Sequence, residues 1–138
     1  MTTIADAQQE LVEEFSMFED WQEKYAYIID LGRELDPIPA DYKDEAHKVK
    51  GCQSQVWLHA SETEDGRLHL LAESDALIVQ GLIAILLRIY QDRRPDEILN
   101  ADLGFFEEIG LLSHLSMNRT NGLNSMINTI RAYAGVKA

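Results

Sequence analysis

Hydrophobic residues in the first third of the chain recur at helical spacing. The first set predicts an amphipathic helix that ends around Phe18 and carries on its apolar face Ile4, Leu11, Phe15 and Phe18. The second set predicts a helix over Trp21–Glu34 with an apolar face of Trp21, Tyr25, Ile28, Ile29 and Leu31. The segment DPIPAD, residues 36–41, follows, and its two prolines predict an extended turn instead of helix.

The middle of the chain changes to an alternation with period two. From Gln55, one side of a predicted strand carries Val56, Leu58 and Ala60, and the other side carries Gln55, Trp57 and His59. Asp65 and Gly66 supply the backbone freedom of a tight turn, after which Leu68 and Leu70 resume the alternation. The pattern predicts a β-hairpin with His59 and His69 on its solvent face.

The last part of the chain returns to helical patterns. A central buried helix is predicted up to Tyr90, with Ser74 as its N-cap and Asp75 as a carboxylate in its first turn. Further helices are predicted over Pro95–Leu99, Leu103–Ile109 and Met117–Ala134, with Gly135 beyond the last one. We expect the last helix to bury Leu123, Met126, Ile127 and Ile130. Helices, then a small antiparallel sheet packed against them, then helices again predict an α+β fold.

Composition limits the possible classes of protein. The chain has 138 residues, 46% of them hydrophobic, which is enough for one cored domain over residues 1–138. Its net charge of −12 would repel a phosphate backbone, so nucleic acid is not an expected ligand. The most apolar segment, residues 76–90, contains Gln80 and Arg88 and is shorter than the roughly 20 apolar residues of a membrane span. The first ten residues show no signal pattern, so we expect a cytoplasmic protein without membrane partners.

The stretch KVKGCQSQVWLHA, residues 48–60, holds the only cysteine of the chain, Cys52. A single cysteine cannot form an internal disulfide, so Cys52 is either inert core or a working thiol. Lys48 and Lys50 bring positive charge that would favour a thiolate. Gly51 permits a left-handed backbone and thereby places Cys52 at the tip of a loop before the strand. Because free cysteines are among the most buried residues, the pattern alone leaves inert core open.

Other sites for this thiol have little support in the sequence. The potential metal ligands besides Cys52 are His47, His59, His69 and His114, but none of them has the paired spacing of a zinc site, so no metal is expected. A cysteine hydrolase needs a histidine and an orienting acid, which four histidines could supply by chance. Gly81, Gly104 and Gly110 are isolated, so no phosphate-binding loop and no bound cofactor are predicted.

Three motifs follow one another along the chain: GCQSQVW at residues 51–57, SDALIVQGLIAIL at residues 74–86 and HLSMNRTNGL at residues 114–123. In this order they resemble the signature regions of the SufE family of sulfur acceptor proteins. The resemblance extends from the second helix, WQEKYAYIIDLGREL, through the last helix. It implies an α+β fold shared with iron-sulfur scaffold proteins of the IscU type. It also implies that Cys52 accepts sulfane sulfur as a persulfide from a cysteine desulfurase of the SufS or CsdA type.

The resemblance also sets expectations for cofactors and partners. Pyridoxal phosphate belongs to the desulfurase, and this protein would pass the sulfur toward an iron-sulfur scaffold or another acceptor without independent turnover. One cysteine is too few for a monomer to be the scaffold itself, since clusters need several thiolate ligands. The alternative is a non-catalytic module that activates the desulfurase allosterically, with the thiol secondary.

Supporting residues follow from the same motifs. Arg119 matches the arginine of the third motif and would stabilise thiolate or persulfide charge or pair with an acid on the partner. Asp75 matches the SDA element, and Gln53, Ser54 and Gln55 are hydrogen-bonding residues beside the sulfur. Met117 stands where the family often has proline. In the isolated protein we expect Cys52 to rest against an apolar pocket formed in part by the central helix, with a pKa that is not strongly lowered.

Overall fold

The computed structural model describes residues 3–101 and 104–137 and confirms the α+β class, with a two-stranded antiparallel sheet packed against helices. Single turns of 3₁₀ helix at Ala40–Tyr42 and Glu45–His47 precede the sheet. The helices and strands, in chain order, are α1 Ile4–Ser16, α2 Trp21–Arg33, β1 Val56–Glu62, β2 Leu68–Ser74, α3 Leu77–Tyr90, α4 Pro95–Leu99, α5 Phe105–Glu108, α6 Leu111–His114 and α7 Met117–Lys137.

The first two helices begin at polar N-caps. Thr3 and Asp6 form a reciprocal capping box, in which each side chain accepts a hydrogen bond from the other backbone at 3.1 Å. The Asp20 carboxylate accepts from the Glu23 backbone N–H at 2.9 Å and starts α2. α1 ends at Ser16, two residues before the predicted end. The prolines exclude α-helix from residues 36–39 as predicted, but a 3₁₀ turn follows directly at Ala40.

The predicted hairpin is confirmed. β1 and β2 pair antiparallel with Val56 opposite Ser74 and Glu62 opposite Leu68. One face of the sheet is buried and carries Val56, Leu58, Leu68, Leu70 and Ala72. The expectation that His59 lies on an open solvent face is wrong, because the two 3₁₀ turns fold over this face. The ring of Tyr42 stacks on His59 with 3.8 Å between ring centroids.

Helix α3 is central and packs against α2 on one side and against the sheet on another. Ten of its fourteen residues are buried, as its uniformly apolar sequence predicts. The predicted helix start is wrong: Ser74 ends β2, Asp75 precedes the helix instead of lying in its first turn, and α3 begins after Ala76 without a side-chain cap. The Ser74 hydroxyl instead accepts from the Ala76 backbone N–H at 3.2 Å, which closes a short turn between strand and helix.

The C-terminal region packs α7 against α4 and α3. The residues predicted to be buried in α7 are buried, namely Leu123, Met126, Ile127 and Ile130. α7 continues through Gly135 to Lys137, so the predicted end at Ala134 is wrong; one glycine costs a helix only about 1 kcal/mol. α5 is shorter than predicted, Leu103 lies outside the described residues, and α6 was not predicted. Within the described ranges, every helix is too short or too polar to cross a bilayer.

Candidate functional site

Cys52 lies on a loop, residues 50–55, that connects the second 3₁₀ turn to β1. At the base of this Cys52 loop, the Val49 backbone N–H donates to the Val56 carbonyl at 2.8 Å. At the other end, the Gln55 backbone N–H donates to the Asp75 carboxylate at 3.0 Å, and the Asp75 N–H donates to the Gln55 carbonyl at 3.3 Å. Both ends of the loop are therefore fixed, and the residues between them carry the thiol.

The Cys52 loop rests on one face of α7. Gly51 has φ +89°, the left-handed backbone that the sequence predicted, and a Cβ at this position would lie 2.5 Å from the Ser125 hydroxyl oxygen. The Cys52 S–H donates to the Gly122 carbonyl with 3.6 Å between sulfur and oxygen. A Cβ on Gly122 would lie 3.6 Å from the same sulfur, which is ordinary van der Waals contact. Two residues of α7, Gly122 and Ser125, thus form the seat of the loop.

A cavity of about 260 Å³ opens beside the half-buried thiol. Its apolar walls come from Val79 of α3 and from Leu123 and Met126 of α7, all of them buried. The predicted pocket, formed in part by the central helix, lies beside Cys52, but it is not the apolar pocket that was expected, because polar groups make up most of its lining surface. A sulfur atom at this position has polarisable, water-poor surroundings on one side.

The rim of the cavity is polar. Gln53 and Ser54 contribute from the loop, and Ser116, Asn118 and Arg119 contribute from the start of α7. The Ser116 hydroxyl accepts from the Arg119 backbone N–H at 3.3 Å and so caps the helix. Arg119 is exposed, and among the side chains that the structure describes it has no ion-pair partner. Its cationic charge and the positive end of the α7 dipole meet at the cavity mouth.

The electrostatics of Cys52 are those of a covered thiol. Burial raises the pKa of the Cys52 thiol, so the sulfur is protonated at neutral pH in the isolated protein. Lys48 and Lys50 were expected to favour a thiolate at Cys52, but both are engaged elsewhere. The Lys48 ammonium lies 3.4 Å from the Glu45 carboxylate, and Lys50 borders a separate groove beside Tyr133. Reactivity of this thiol therefore needs a change in its surroundings.

The structure brings some of the sequence-predicted residues to the cavity and places others behind it. Cys52, Gln53, Ser54 and Arg119 line it together. Gln55 and Asp75 contact each other at the base of the loop, where they hold its end in place.

Sequence reasoning missed the residues that form the seat and the rest of the rim, Gly122, Ser125, Ser116 and Asn118. Three of them stand in the third motif, but the motif alone does not show which of its residues face Cys52. Of the described side chains around the cavity, Cys52 alone is of a type that ligates zinc.

Comparison with known proteins identifies the family. The family model described as "SufE: Fe-S metabolism associated domain" matches residues 9–134. An uncharacterized SufE-like protein of Rhizobium meliloti (strain 1021) is 43% identical over 129 residues, which cover 91% of this chain and 92% of that protein. The solution structure of a hypothetical protein from Thermus thermophilus shares the fold, with a TM-score of 0.77, 20% identity and 95% coverage of both chains. The chain belongs to the SufE family of proteins associated with iron-sulfur metabolism.

Proposed function

We propose that this protein accepts sulfane sulfur on Cys52 from a cysteine desulfurase and carries it as a persulfide toward iron-sulfur cluster assembly. The observation that carries the proposal is the position of the one thiol of the chain. Cys52 is half-buried on a loop, beside a small cavity that has apolar side chains on one wall and Arg119 at its polar rim. Reactive cysteines lie in partly exposed, electropositive surroundings, whereas structural buried cysteines are inert.

The proposed reaction is a thiol exchange between two chains. The Cys52 sulfur attacks the terminal sulfur of a persulfide on the desulfurase, the sulfur–sulfur bond of that persulfide breaks, and the desulfurase cysteine leaves as a thiol. The proton of Cys52 balances the proton that the leaving thiol takes up. No electrons are gained or lost overall, because one persulfide and one thiol become one thiol and one persulfide. The pyridoxal phosphate that generates the sulfur stays in the partner.

The cavity gives the bound sulfur a place away from water and from other thiols. A persulfide adds one sulfur atom to Cys52, and the 260 Å³ beside the thiol are large enough for it. The walls of Val79, Leu123 and Met126 exclude competing thiols, whereas Arg119 supplies positive charge at the open side. Persulfides lose their sulfur to accessible thiols in a reducing cytosol, so a covered site favours a carrier.

The central test uses Cys52→Ser, which removes the only thiol and nearly preserves side-chain volume. The protein is mixed with a pyridoxal-phosphate-loaded desulfurase of the SufS or CsdA type and free cysteine. We expect mass spectrometry to find one added sulfur on the Cys52 peptide and none on the variant. Stimulation of alanine production should be lost in Cys52→Ser while its circular dichroism spectrum and melting temperature stay near those of the parent.

The same experiment separates the carrier from the allosteric activator. An activator stimulates the desulfurase without gaining sulfur, and its Cys52→Ser variant stimulates as well as the parent. Full stimulation by the variant, or an unmodified Cys52 in the parent, would contradict the carrier. Transfer of labelled sulfur from purified persulfidated protein to an iron-sulfur scaffold tests the second half of the proposal.

Arg119→Ala tests the role of the rim cation. We expect sulfur transfer to fall about tenfold, the effect of losing one charge-assisted contact of about 1.4 kcal/mol to the reacting sulfur. The stability of the fold should change by less than about 0.5 kcal/mol, because Arg119 is exposed and has no ion-pair partner among the described side chains. Arg119→Lys should restore part of the rate, since it keeps the charge and loses the planar fork. Equal transfer rates in all three proteins would assign Arg119 to the ordinary surface.

A further inference from the structure

A cluster of titratable rings lies outside the Cys52 cavity, on the outer face of the hairpin. The Nε2 atom of His47 lies 3.1 Å from the Nδ1 atom of His59, and the ring of Tyr42 stacks on His59. On the far side of the first ring, the His47 Nδ1 atom lies 2.8 Å from a carboxylate oxygen of Asp44. Sulfur transfer uses none of these residues.

The contacts of this cluster limit how its rings can hydrogen-bond. The Asp44 carboxylate can only accept, so the His47 Nδ1 atom carries a proton toward it. The other ring nitrogen of His47, Nε2, faces the His59 Nδ1 atom, and one proton lies between these two nitrogens.

We propose that His47 and His59 form a binding site for a borderline divalent metal such as Zn²⁺ or Ni²⁺, with Asp44 holding the His47 ring. Two nitrogens 3.1 Å apart, each at the usual metal–nitrogen distance of about 2.0–2.1 Å, subtend about 100° at the metal. This angle lies between those of octahedral and tetrahedral sites. The metal takes the place of the bridging proton, which moves to Nε2 of His59 when that nitrogen is free and otherwise is released to solvent.

The surroundings of the two rings favour such a site. The contact between a carboxylate and the distal nitrogen of His47 is the arrangement that commonly orients metal-binding histidines. The same Asp44 oxygen accepts from the His47 backbone N–H at 3.0 Å, which fixes the 3₁₀ turn that carries the ring. The planes of the two imidazoles are inclined by 56°, so the rings are not stacked on each other, and a modest rotation of each ring would turn both facing nitrogens toward one ion.

The site supplies two protein ligands. No group of three or more histidine, cysteine, aspartate or glutamate side chains within the described ranges is placed to hold a metal ion. Water or a small anion therefore fills the remaining positions, and the affinity should be moderate. The sequence did not indicate this pair, because its members are twelve residues apart and come together only when the 3₁₀ turn folds over β1.

The test begins from Cys52→Ser, which removes the competing thiol ligand. We expect calorimetric titration with Ni²⁺ and with Zn²⁺ to show one site per chain and to raise the melting temperature. Mg²⁺, which prefers oxygen ligands, should produce neither signal and controls for the acidic surface. His47→Gln and His59→Gln should each weaken binding by at least about tenfold, and Asp44→Asn should weaken it less than either.

Two other histidines provide matched controls. His69→Gln and His114→Gln each remove one imidazole from other places, where His69 contacts Asp92 at 2.8 Å and His114 stacks on Trp21. Both should bind metal as the parent does. The imidazole nitrogen resonances of His47 and His59 should also shift on addition of Zn²⁺ to the parent, a readout that needs no substitution in the pair.

Three results would overturn the site. The first is a titration without heat of binding and without a rise in melting temperature at about 0.1 mM metal, roughly a hundred times a micromolar dissociation constant. The second is binding that survives His47→Gln and His59→Gln unchanged. The third is a loss in His69→Gln or His114→Gln as large as the loss in the pair. None of these results concerns the chemistry of Cys52, so the test of the metal site is independent of the test of sulfur transfer.

Discussion

Glycines stand at two contacts in this protein, and the two contacts differ in how much room they leave for a side chain. Where α2 crosses α3, a Cβ on Gly81 would lie 2.2 Å from the Ile28 carbonyl oxygen, and one on Gly32 would lie 2.6 Å from the Gly81 nitrogen. Where the Cys52 loop meets α7, a Cβ on Gly122 would lie 3.6 Å from the Cys52 sulfur. At the helix crossing, backbone atoms of α2 lie against backbone atoms of α3. At the loop, the Cys52 side chain lies against the backbone of α7.

The tight contact lies in the rigid scaffold, where α2 crosses α3. The looser contact lies at the Cys52 loop, which the proposed sulfur transfer would move. Backbone atoms in contact at the α2–α3 crossing cannot shift without moving whole helices, so this region holds α3 in place behind the cavity. The Cys52 loop is held on α7 by one weak S–H hydrogen bond and by packing against the Ser125 side chain. Side-chain contacts of this kind can separate and form again, as the proposed sulfur transfer to a partner would require.

The largest effect is expected from Gly81→Ala at the helix crossing. The new methyl group would collide with the Ile28 carbonyl, and we expect a loss of about 3 kcal/mol in the free energy of unfolding. The steric cost exceeds the gain of about 1 kcal/mol that alanine normally brings to a helix interior. Urea unfolding followed by tryptophan fluorescence measures the difference.

Gly135→Ala is the matched control for this substitution. Gly135 also lies in a helix, and no described atom comes within 4 Å of the Cβ position. We expect alanine there to leave stability unchanged or raise it by up to about 1 kcal/mol. Equal effects at positions 81 and 135 would mean that the α2–α3 crossing is not tightly packed.

The second effect is expected from Gly51→Ala in the Cys52 loop. The substitution strains a backbone with φ +89° and places a methyl group 2.5 Å from the Ser125 hydroxyl oxygen. We expect a loss of about 1–2 kcal/mol from the backbone term, since the Ser125 side chain can rotate away. The loop should also lift from α7, so that iodoacetamide modifies Cys52 faster than in the parent.

Gly66→Ala separates the two causes. Gly66 has φ +81° in the hairpin turn and no described atom within 4 Å of its Cβ position, so it has the strain without the contact. The stability losses at positions 51 and 66 should be similar, whereas only Gly51→Ala should speed modification of Cys52. Unchanged modification in Gly51→Ala would show that the contact with Ser125 does not hold the loop down.

The contrast between these regions also explains what the sequence could predict. The helices and the hairpin follow from periodicity, because each of these elements buries one face or a continuous apolar run. Cys52 and Arg119 could be identified because a sequence motif specifies the residue type at each of its positions. The closeness of Gly32 to Gly81 was not predicted, because an isolated glycine in a helical pattern does not show which helix crosses it.

The contacts made by short irregular segments were equally out of reach. The 3₁₀ turns at Ala40–Tyr42 and Glu45–His47 have too few residues for a periodic signal, and they are the segments that cover His59. Ser74 has the residue type of an N-cap, but pairing with Val56 keeps it in the strand. Tertiary contacts decided these positions, and local preference did not.

A smaller effect concerns the ionisation of Cys52. Burial raises the pKa of the Cys52 thiol, so the folded protein binds its proton more tightly than the unfolded chain does. This contribution to stability is complete below the thiol pKa of the unfolded chain and is lost as the pH rises through the higher pKa of the folded protein. Relative to Cys52→Ser, the parent should therefore lose free energy of unfolding at alkaline pH.

Alkylation measures the same property directly. The rate of iodoacetamide modification should rise with pH around a higher midpoint in the folded protein than in urea, and it should be slower than in urea at neutral pH. Addition of a desulfurase whose own cysteine has been removed should accelerate it by moving the loop outward without consuming the thiol. Folded and unfolded chains with equal rates at neutral pH would show that the loop does not cover the sulfur.

The smallest effect is expected from Gly122→Ala, on the α7 side of the same loop. Its methyl group would touch the Cys52 sulfur at 3.6 Å without overlap, and alanine favours a helix interior. We therefore expect the free energy of unfolding to stay constant or to rise by up to about 1 kcal/mol, in contrast to Gly81→Ala. The Gly122 carbonyl is kept, so slow alkylation of Cys52 should be kept as well.

Persulfide formation is the more sensitive readout of Gly122→Ala, since the methyl group narrows the space beside the sulfur. A modest fall in sulfur labelling with unchanged stability would locate the added sulfur next to α7. A loss of stability as large as that of Gly81→Ala would show instead that the loop is packed as tightly as the helix crossing.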